Sequence, residues 1–318
     1  MSSFLTVYSK ELKDFFTSWR FVFLLLIVLL ASVFAVFVAA GNIRSSVTGS
    51  SDFVFLALFT TSLSSAVGGF VPNSFLALMA VLIPILGIVL GFDAINSERN
   101  NGTMSRLVSQ PIYRDNIINA KFLAGIVTIA ILLFSIVLLV SGLGIRMIGL
   151  PPTSEEVWRL FFFLIIAIVY GAFWLGLAIL FSTLFKQVAV SAIVSIVIWL
   201  FFAFFYPIIF TFIANSMTSE TQASAVKNIQ MLITLQRISP IQLFNESMTV
   251  VLVPAMRSVS QIMQLYISDA GNYLLPTALS LGQSLLSVWP QIIITVVLTV
   301  VCFAISYVKF MYEEIRAL

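Results

Sequence analysis

Six stretches of the chain, 21–40, 74–92, 122–145, 160–185, 188–214 and 288–308, contain no Asp, Glu, Lys, Arg or His. As helix, rising about 1.5 Å per residue, each is about long enough to cover a hydrocarbon core of roughly 30 Å. Backbone amides cannot stay unpaired in lipid, and these runs lack strand-like alternation, so they read as helices rather than barrel strands. Charged residues make up 9% of the chain, against roughly a quarter in soluble domains. The expected fold class is an all-α polytopic membrane protein with six transmembrane helices.

Lys and Arg beside span ends are retained on the cytoplasmic side. With the first residues inside, the inner segments hold Lys10, Lys13, Arg20, Arg99, Arg106, Arg114, Lys121, Lys186, Lys309 and Arg316, while the short outer loops hold only Arg44, Arg146 and Arg159. Both termini are expected to be cytoplasmic, which requires an even number of spans. That parity argues against counting the uncharged stretch 53–70 as a seventh span. Its Thr60, Thr61, Ser62, Ser64, Ser65, Gly68 and Gly69 also suit a lipid-facing helix poorly, so an outer re-entrant or interfacial segment is expected. The first apolar run, about 20 residues, exceeds the roughly 7 to 15 of a signal-peptide core and reads as a retained span. Cys302 is the single cysteine and lies in the last run, so packing must hold the outer loops together.

Residues 1–20 place Phe4, Leu5, Tyr8, Leu12, Phe15, Phe16 and Trp19 at helical spacing, with Ser9, Lys10, Glu11, Lys13, Asp14 and Thr17 on the other face. This predicts an amphipathic helix in the inner membrane interface, and both an anchoring and a partner-contacting role fit it. Residues 21–318 read as one transmembrane domain. Its long outer loop, 215–287, holds a stripe of Ala255, Val259, Ile262, Met263 and Tyr266 and another of Leu274, Leu275, Ala278, Leu279, Gly282, Leu285 and Leu286. Pro240, Pro254 and Pro276 divide the loop into short helices, and Pro290 suits the first turn of the last span. Met217, Met231, Met248, Met256 and Met263 lie in the same loop without any His in the chain. They read as packing residues, so no metal site is expected.

Residues 93–121 carry seven charges, Asp93, Glu98, Arg99, Arg106, Arg114, Asp115 and Lys121, between two uncharged spans. Gly102 can end a helical turn in a left-handed conformation, Thr103 can cap a short helix from about Met104 to Gln110, and Pro111 stops it. Asp115 then reads as the N-cap of the third span. A short helix held at the membrane surface is suited to receiving a push from a soluble partner, with Leu107 as an apolar knob and Glu98, Arg99, Arg106 and Arg114 fixing register. A solvated loop obeying the positive-inside rule accounts for the same spacing.

Phe92-Asp93-Ala94-Ile95, Glu98-Arg99, Gly102-Thr103, Leu107, Ser109-Gln110-Pro111, Arg114 and Lys121 resemble the signature of permease subunits of type 2 ABC exporters, the ABC-2 family. The resemblance is to the branch that includes the permease serving nitrous-oxide-reductase maturation. Ser239-Pro240 with Leu243-Phe244, and Ser287-Val288-Trp289-Pro290, extend it more weakly. It implies a coupling helix docking on a separate ATPase subunit, two ATPases and two permeases per transporter, and the plasma membrane of a prokaryote as the location. Glu98, Arg99, Gly102, Thr103, Leu107, Pro111 and Arg114 are the docking residues it implies. Asn100, Asn101, Met104, Val108 and Tyr113 depart from the pattern, which bears on which ATPase is recognised.

The chain has no G-x-x-x-x-G-K-[ST] sequence, so no cofactor is expected on it, and ATP and Mg belong to the partner. It is not expected to be an enzyme. A secondary carrier would place ionisable groups at midplane, and none is there. Transmission of ATPase motion to an outer accessory protein, without passage of a substrate, stays open beside export. Six spans are few for a wide pathway, so a second permease copy or a sister chain is expected. Ser135, Ser141, Tyr170, Trp174, Ser191, Ser195 and Trp199 are the expected pathway lining, which suits an apolar or amphipathic cargo. Nucleic acid is not an expected partner; membrane lipid is.

Overall fold

The computed structural model describes residues 3–46, 53–60, 74–102, 113–216, 231, 234–253 and 279–312. Among them no strand occurs, and six helices are long and apolar enough to cross a membrane: Trp19–Gly41, Phe75–Asn100, Arg114–Ile148, Ser154–Leu184, Val188–Phe210 and Leu281–Tyr312. The helices are α1 (Ser3–Thr17), α2 (Trp19–Ser46), α3 (Val54–Thr60), α4 (Phe75–Gly91), α5 (Asn96–Asn100), α6 (Arg114–Ile148) and α7 (Ser154–Leu184). Then come α8 (Val188–Leu200), a π-helical turn (Phe201–Phe205), α9 (Tyr206–Ser216), α10 (Pro240–Leu252) and α11 (Leu281–Tyr312).

α7 is the hub, packed on α4, α6, α8, α10 and α11. Lipid supplies no hydrophobic drive between helices, so close approach must do that work. Gly87 and Gly91, one turn apart, bring α4 onto the backbone of α7: a Cβ at Gly87 would stand 2.8 Å from the Leu175 amide nitrogen and 2.9 Å from the Gly171 carbonyl oxygen. One polar contact completes the seam. Pro84 has no N–H to give the Ala80 carbonyl four residues earlier, and the buried Tyr170 hydroxyl donates to that carbonyl at 3.1 Å instead.

At one end of the bundle, the near end, Ile95, Ile117, Ile118 and Phe310 form a buried cluster, so the described ends of the chain gather beside α5 and the start of α6. At the far end α6 stops in a left-handed Gly149 (φ +82°), and Thr153 opens α7 with a reciprocal capping box to Glu156. Arg159, fully buried, then binds three elements together. Its guanidinium donates to Glu155 (2.8 and 3.1 Å), to the carbonyls of Val251 (2.8 Å) and Leu279 (2.6 Å), and to the Ser284 hydroxyl (3.3 Å).

The structure adds detail to some expectations and changes others. The described part of 53–70 is the short buried helix α3, whose Phe55 and Leu56 amides donate to the Glu156 carboxylate (3.1 and 3.3 Å). That carboxylate replaces water for orphan helix-end amides. The last span begins at Leu281, so Pro290 lies inside its helix rather than in its first turn. Arg159 is the reason, because it draws Leu279 and Ser284 onto the bundle. The N-cap of α6 is Tyr113, and Asp115 instead sits in the first turn, where a carboxylate favours the helix dipole. In the outer loop α10 is the described helix; the stripe 255–266 lies outside the described residues. The fifth span contains a π turn: Pro207 cannot bond back to Ala203, and Tyr206 bonds to the Phe201 carbonyl instead.

Candidate functional site

The segment that follows α4 turns through Asp93–Ile95 into α5 and ends at Gly102, whose φ of +68° is the left-handed conformation expected of it. Of the implied docking residues, Glu98, Arg99, Gly102 and Arg114 are placed; Thr103, Leu107 and Pro111 lie outside the described residues. The segment is fastened to neighbours on every side. The Ile95 and Asn96 amides donate to the Ser182 hydroxyl on α7 (3.0 and 3.2 Å), and the buried Asn96 side chain lies 2.9 Å from the same oxygen. Arg20, at the start of α2, meets Asp93 at 2.5 Å and lies over the Phe92 ring.

Charge completes the attachment. Lys121, two turns into α6 and 5% exposed, stands 2.9 Å from Glu98 and 3.0 Å from Glu11 of α1. Lys10 adds contacts to Glu11 (3.3 Å), Asp14 (3.5 Å) and Glu98 (3.7 Å). Partial burial opposes the charged form of Lys10, yet Glu11, Glu98 and Asp14 together raise its pKa above the ordinary value. The face that α1 turns to the bundle thus includes a charged residue from the polar side of the expected amphipathic helix. Val7 and Glu11 are buried, whereas Leu5, Phe16 and Trp19 are exposed. A cavity of about 430 Å³ lies between α1 and this segment, with Lys10, Asp14, Arg20, Asp93, Glu98 and Lys121 around it.

The expected pathway residues do not share one surface. Tyr170 and Trp174 are buried in the core, ring to ring edge-on at 6.3 Å, and Tyr170 stacks on Phe244 of α10 at 4.3 Å. Ser191, Ser195 and Trp199 are buried along α8, where the Ser195 hydroxyl donates to the Ser191 carbonyl (2.8 Å). Ser135 is exposed on α6 and bonds its own helix at Ile131, and Ser141 is half-buried. Lys121, Glu11, Asn96 and Ser182 carry the near-end geometry and were not singled out as site residues. The one available signal was Lys121, a lysine at the threshold of an uncharged span.

Among the described residues no group of three or more His, Cys, Asp or Glu could hold a metal ion. What stands at the near end is a connector: a short segment bonded to α1, α2, α6 and α7 and packed on the end of α11. No curated protein matches the chain closely enough to count as a relative. The family described as ABC-2 family transporter protein matches residues 5–315. A six-span membrane bundle matched over nearly its whole length is a transmembrane subunit of an ABC transporter, and the chain belongs to the ABC-2 transporter family.

Proposed function

We propose that this chain is the permease of an ATP-driven exporter, in the branch that serves nitrous-oxide-reductase maturation and its relatives, and that it moves an apolar or amphipathic cargo across a prokaryotic plasma membrane. Two copies, or one copy with a sister permease, work with two ATPase subunits, and the near end with both termini faces the ATPases. Residues 103–112 take the push. The observation that carries the reading is the way 93–102 is fastened: through Ser182 to the hub helix α7, through Lys121 to α6, and through Lys10 to α1. A displacement delivered at one short segment then reaches several spans together. Spans without formal charge favour uncharged or amphipathic cargo, since an ion has no partner there.

Co-purification of the chain with its ATPase tests docking. Leu107→Asp is expected to abolish the association, and unchanged association would sink the docking assignment. Glu98→Arg also breaks the internal pair with Lys121, so it reports on transmission as well. Lys121→Met is expected to leave the complex assembled while ATP hydrolysis no longer drives transport in vesicles.

A further inference from the structure

From the geometry of the fifth span we infer a binding site for a neutral amphiphile between its π turn and α10. The π turn and the start of α9 present Phe202, Ala203, Tyr206, Pro207 and Phe210 to one side of a cavity of about 290 Å³. The other side holds Gln236, Ser239, Ile241, Gln242 and Asn245. Among the described residues no charged side chain lines it. Arg237 and Glu246, neighbours in sequence of the lining residues, are spent on each other in a two-pronged pair at 2.5 and 2.9 Å, which also fixes the turn bearing Gln236 onto α10. The Tyr206 hydroxyl donates to the Leu235 carbonyl and fastens the π turn to the same segment. The space is thus framed by two polar fasteners rather than left by loose packing.

Its level along the span bears on its chemistry. Tyr206 lies 18 residues beyond Val188, roughly 27 Å along the helix from the near end. On the opposite wall α10 reaches inward far enough for Phe244 to stack on Tyr170 in the core. A height of about 27 Å in a hydrocarbon core of roughly 30 Å is close to its far edge, where a polar head and an apolar tail can both be accommodated. Among the described residues no hydrogen bond is made by the half-buried side-chain amides of Gln236, Gln242 or Asn245, and Ser239 makes no capping bond to α10. Each amide offers both donors and an acceptor. Facing them are aromatic rings suited to a ring or other apolar face.

A ligand with an uncharged, hydroxyl- or amide-rich head fits this wall, and an ion does not. Beside the cavity, Phe205, Ile208, Ile209 and Phe212 are exposed on the fifth span and give an apolar tail a surface to lie on. The π turn accounts for the shape, because its wider winding turns Phe202, Ala203 and Tyr206 toward α10 while Phe204 and Phe205 face outward. This site deepens the exporter reading by naming a cargo chemistry, and it rests on that reading only for the direction of movement.

Labelling in the absence of the ATPase tests the site separately. The full chain, with Cys302→Ser and Ala203→Cys, is placed in lipid nanodiscs, and the rate of thiol labelling at position 203 is followed. Octyl glucoside below its micellar concentration is expected to slow labelling about tenfold, a change equal to roughly 1.4 kcal/mol. Octyl phosphate and octyltrimethylammonium, with the same tail, should leave the rate unchanged. Asn245→Leu and Gln242→Leu should each remove the protection, read as the ratio of rates with and without amphiphile in the same variant. Equal protection by all three amphiphiles, or by none, overturns the site. Equal protection by methyl glucoside overturns the amphiphile and identifies a soluble neutral ligand. Failure here leaves ATPase docking standing, and loss of docking leaves labelling intact.

Discussion

The two ends of the bundle each hold a buried cation, and they hold it in different ways. Arg159 at the far end is ringed by fixed acceptors, two backbone carbonyls and a carboxylate one helical turn before it. Lys121 at the near end is held by two carboxylates from separate elements, Glu11 on α1 and Glu98 on α5. A guanidinium among carbonyls has nowhere else to go. An ammonium between two side chains can give up one partner while keeping the other. The far end is thus built as a lock and the near end as a joint.

Arg159→Met strikes the lock and has the largest expected effect. It leaves the Val251 and Leu279 carbonyls and Glu155 without their donor, at a cost of about 3–5 kcal/mol. Thermal unfolding in detergent measures it, and a midpoint equal to wild type would mean the far end is not locked by this residue. Lys121→Met strikes the joint, leaving Glu11 and Glu98 together without their cation. A loss of about 2 kcal/mol is expected, and adding Glu98→Gln should recover part of it. No recovery in the double variant would show that the lysine acts alone.

Glu156→Ala tests a smaller part of the lock. It removes the acceptor for the first amides of α3 and half of the capping box, for about 1–2 kcal/mol. Hydrogen exchange at Phe55 and Leu56 should quicken ahead of the rest of the bundle. The smallest effect concerns pH. The folded pKa of Lys10 is raised, so its pairing stabilises fully below its ordinary value of 10.5 and is lost as pH climbs through the raised value. Protease protection of α1 should therefore be flat from neutral pH to about 10 and fall beyond it. A fall near neutrality would point to a different group.

Spans are legible because each is a sum over about 20 residues, and one misread position does not change it. Gly102 is legible for a different reason: few residues tolerate its backbone angle, so the letter itself carries the geometry. The Glu11–Lys121 pair is not legible, because nothing local ties residues 110 positions apart. Counting apolar residues around α1 placed Glu11 on the water side, and only the arrival of Lys121 reverses that. Thr153 and Glu156 spell a capping box that could have been read, as could the proline behind the π turn. The partner of Glu156 across the bundle, α3, could not. The expected pathway residues end up divided between the core, α8 and the outer face of α6, a separation that no pattern of serines and aromatics along one helix announces.

The seam between α4 and α7 sets a schedule for making the protein. The second span enters the membrane with a glycine face and a carbonyl at Ala80 that its own proline cannot satisfy, and the residues that complete them, Tyr170 for the carbonyl and Gly171 to Ile179 for the glycines, come from the fourth span. Until the ribosome has delivered residues up to 179, that half of the bundle is unfinished in a chemically visible way. A chain stalled before then displays an unpaired carbonyl and a bare helix groove inside the bilayer, features by which membrane quality control can tell an incomplete subunit from a finished one.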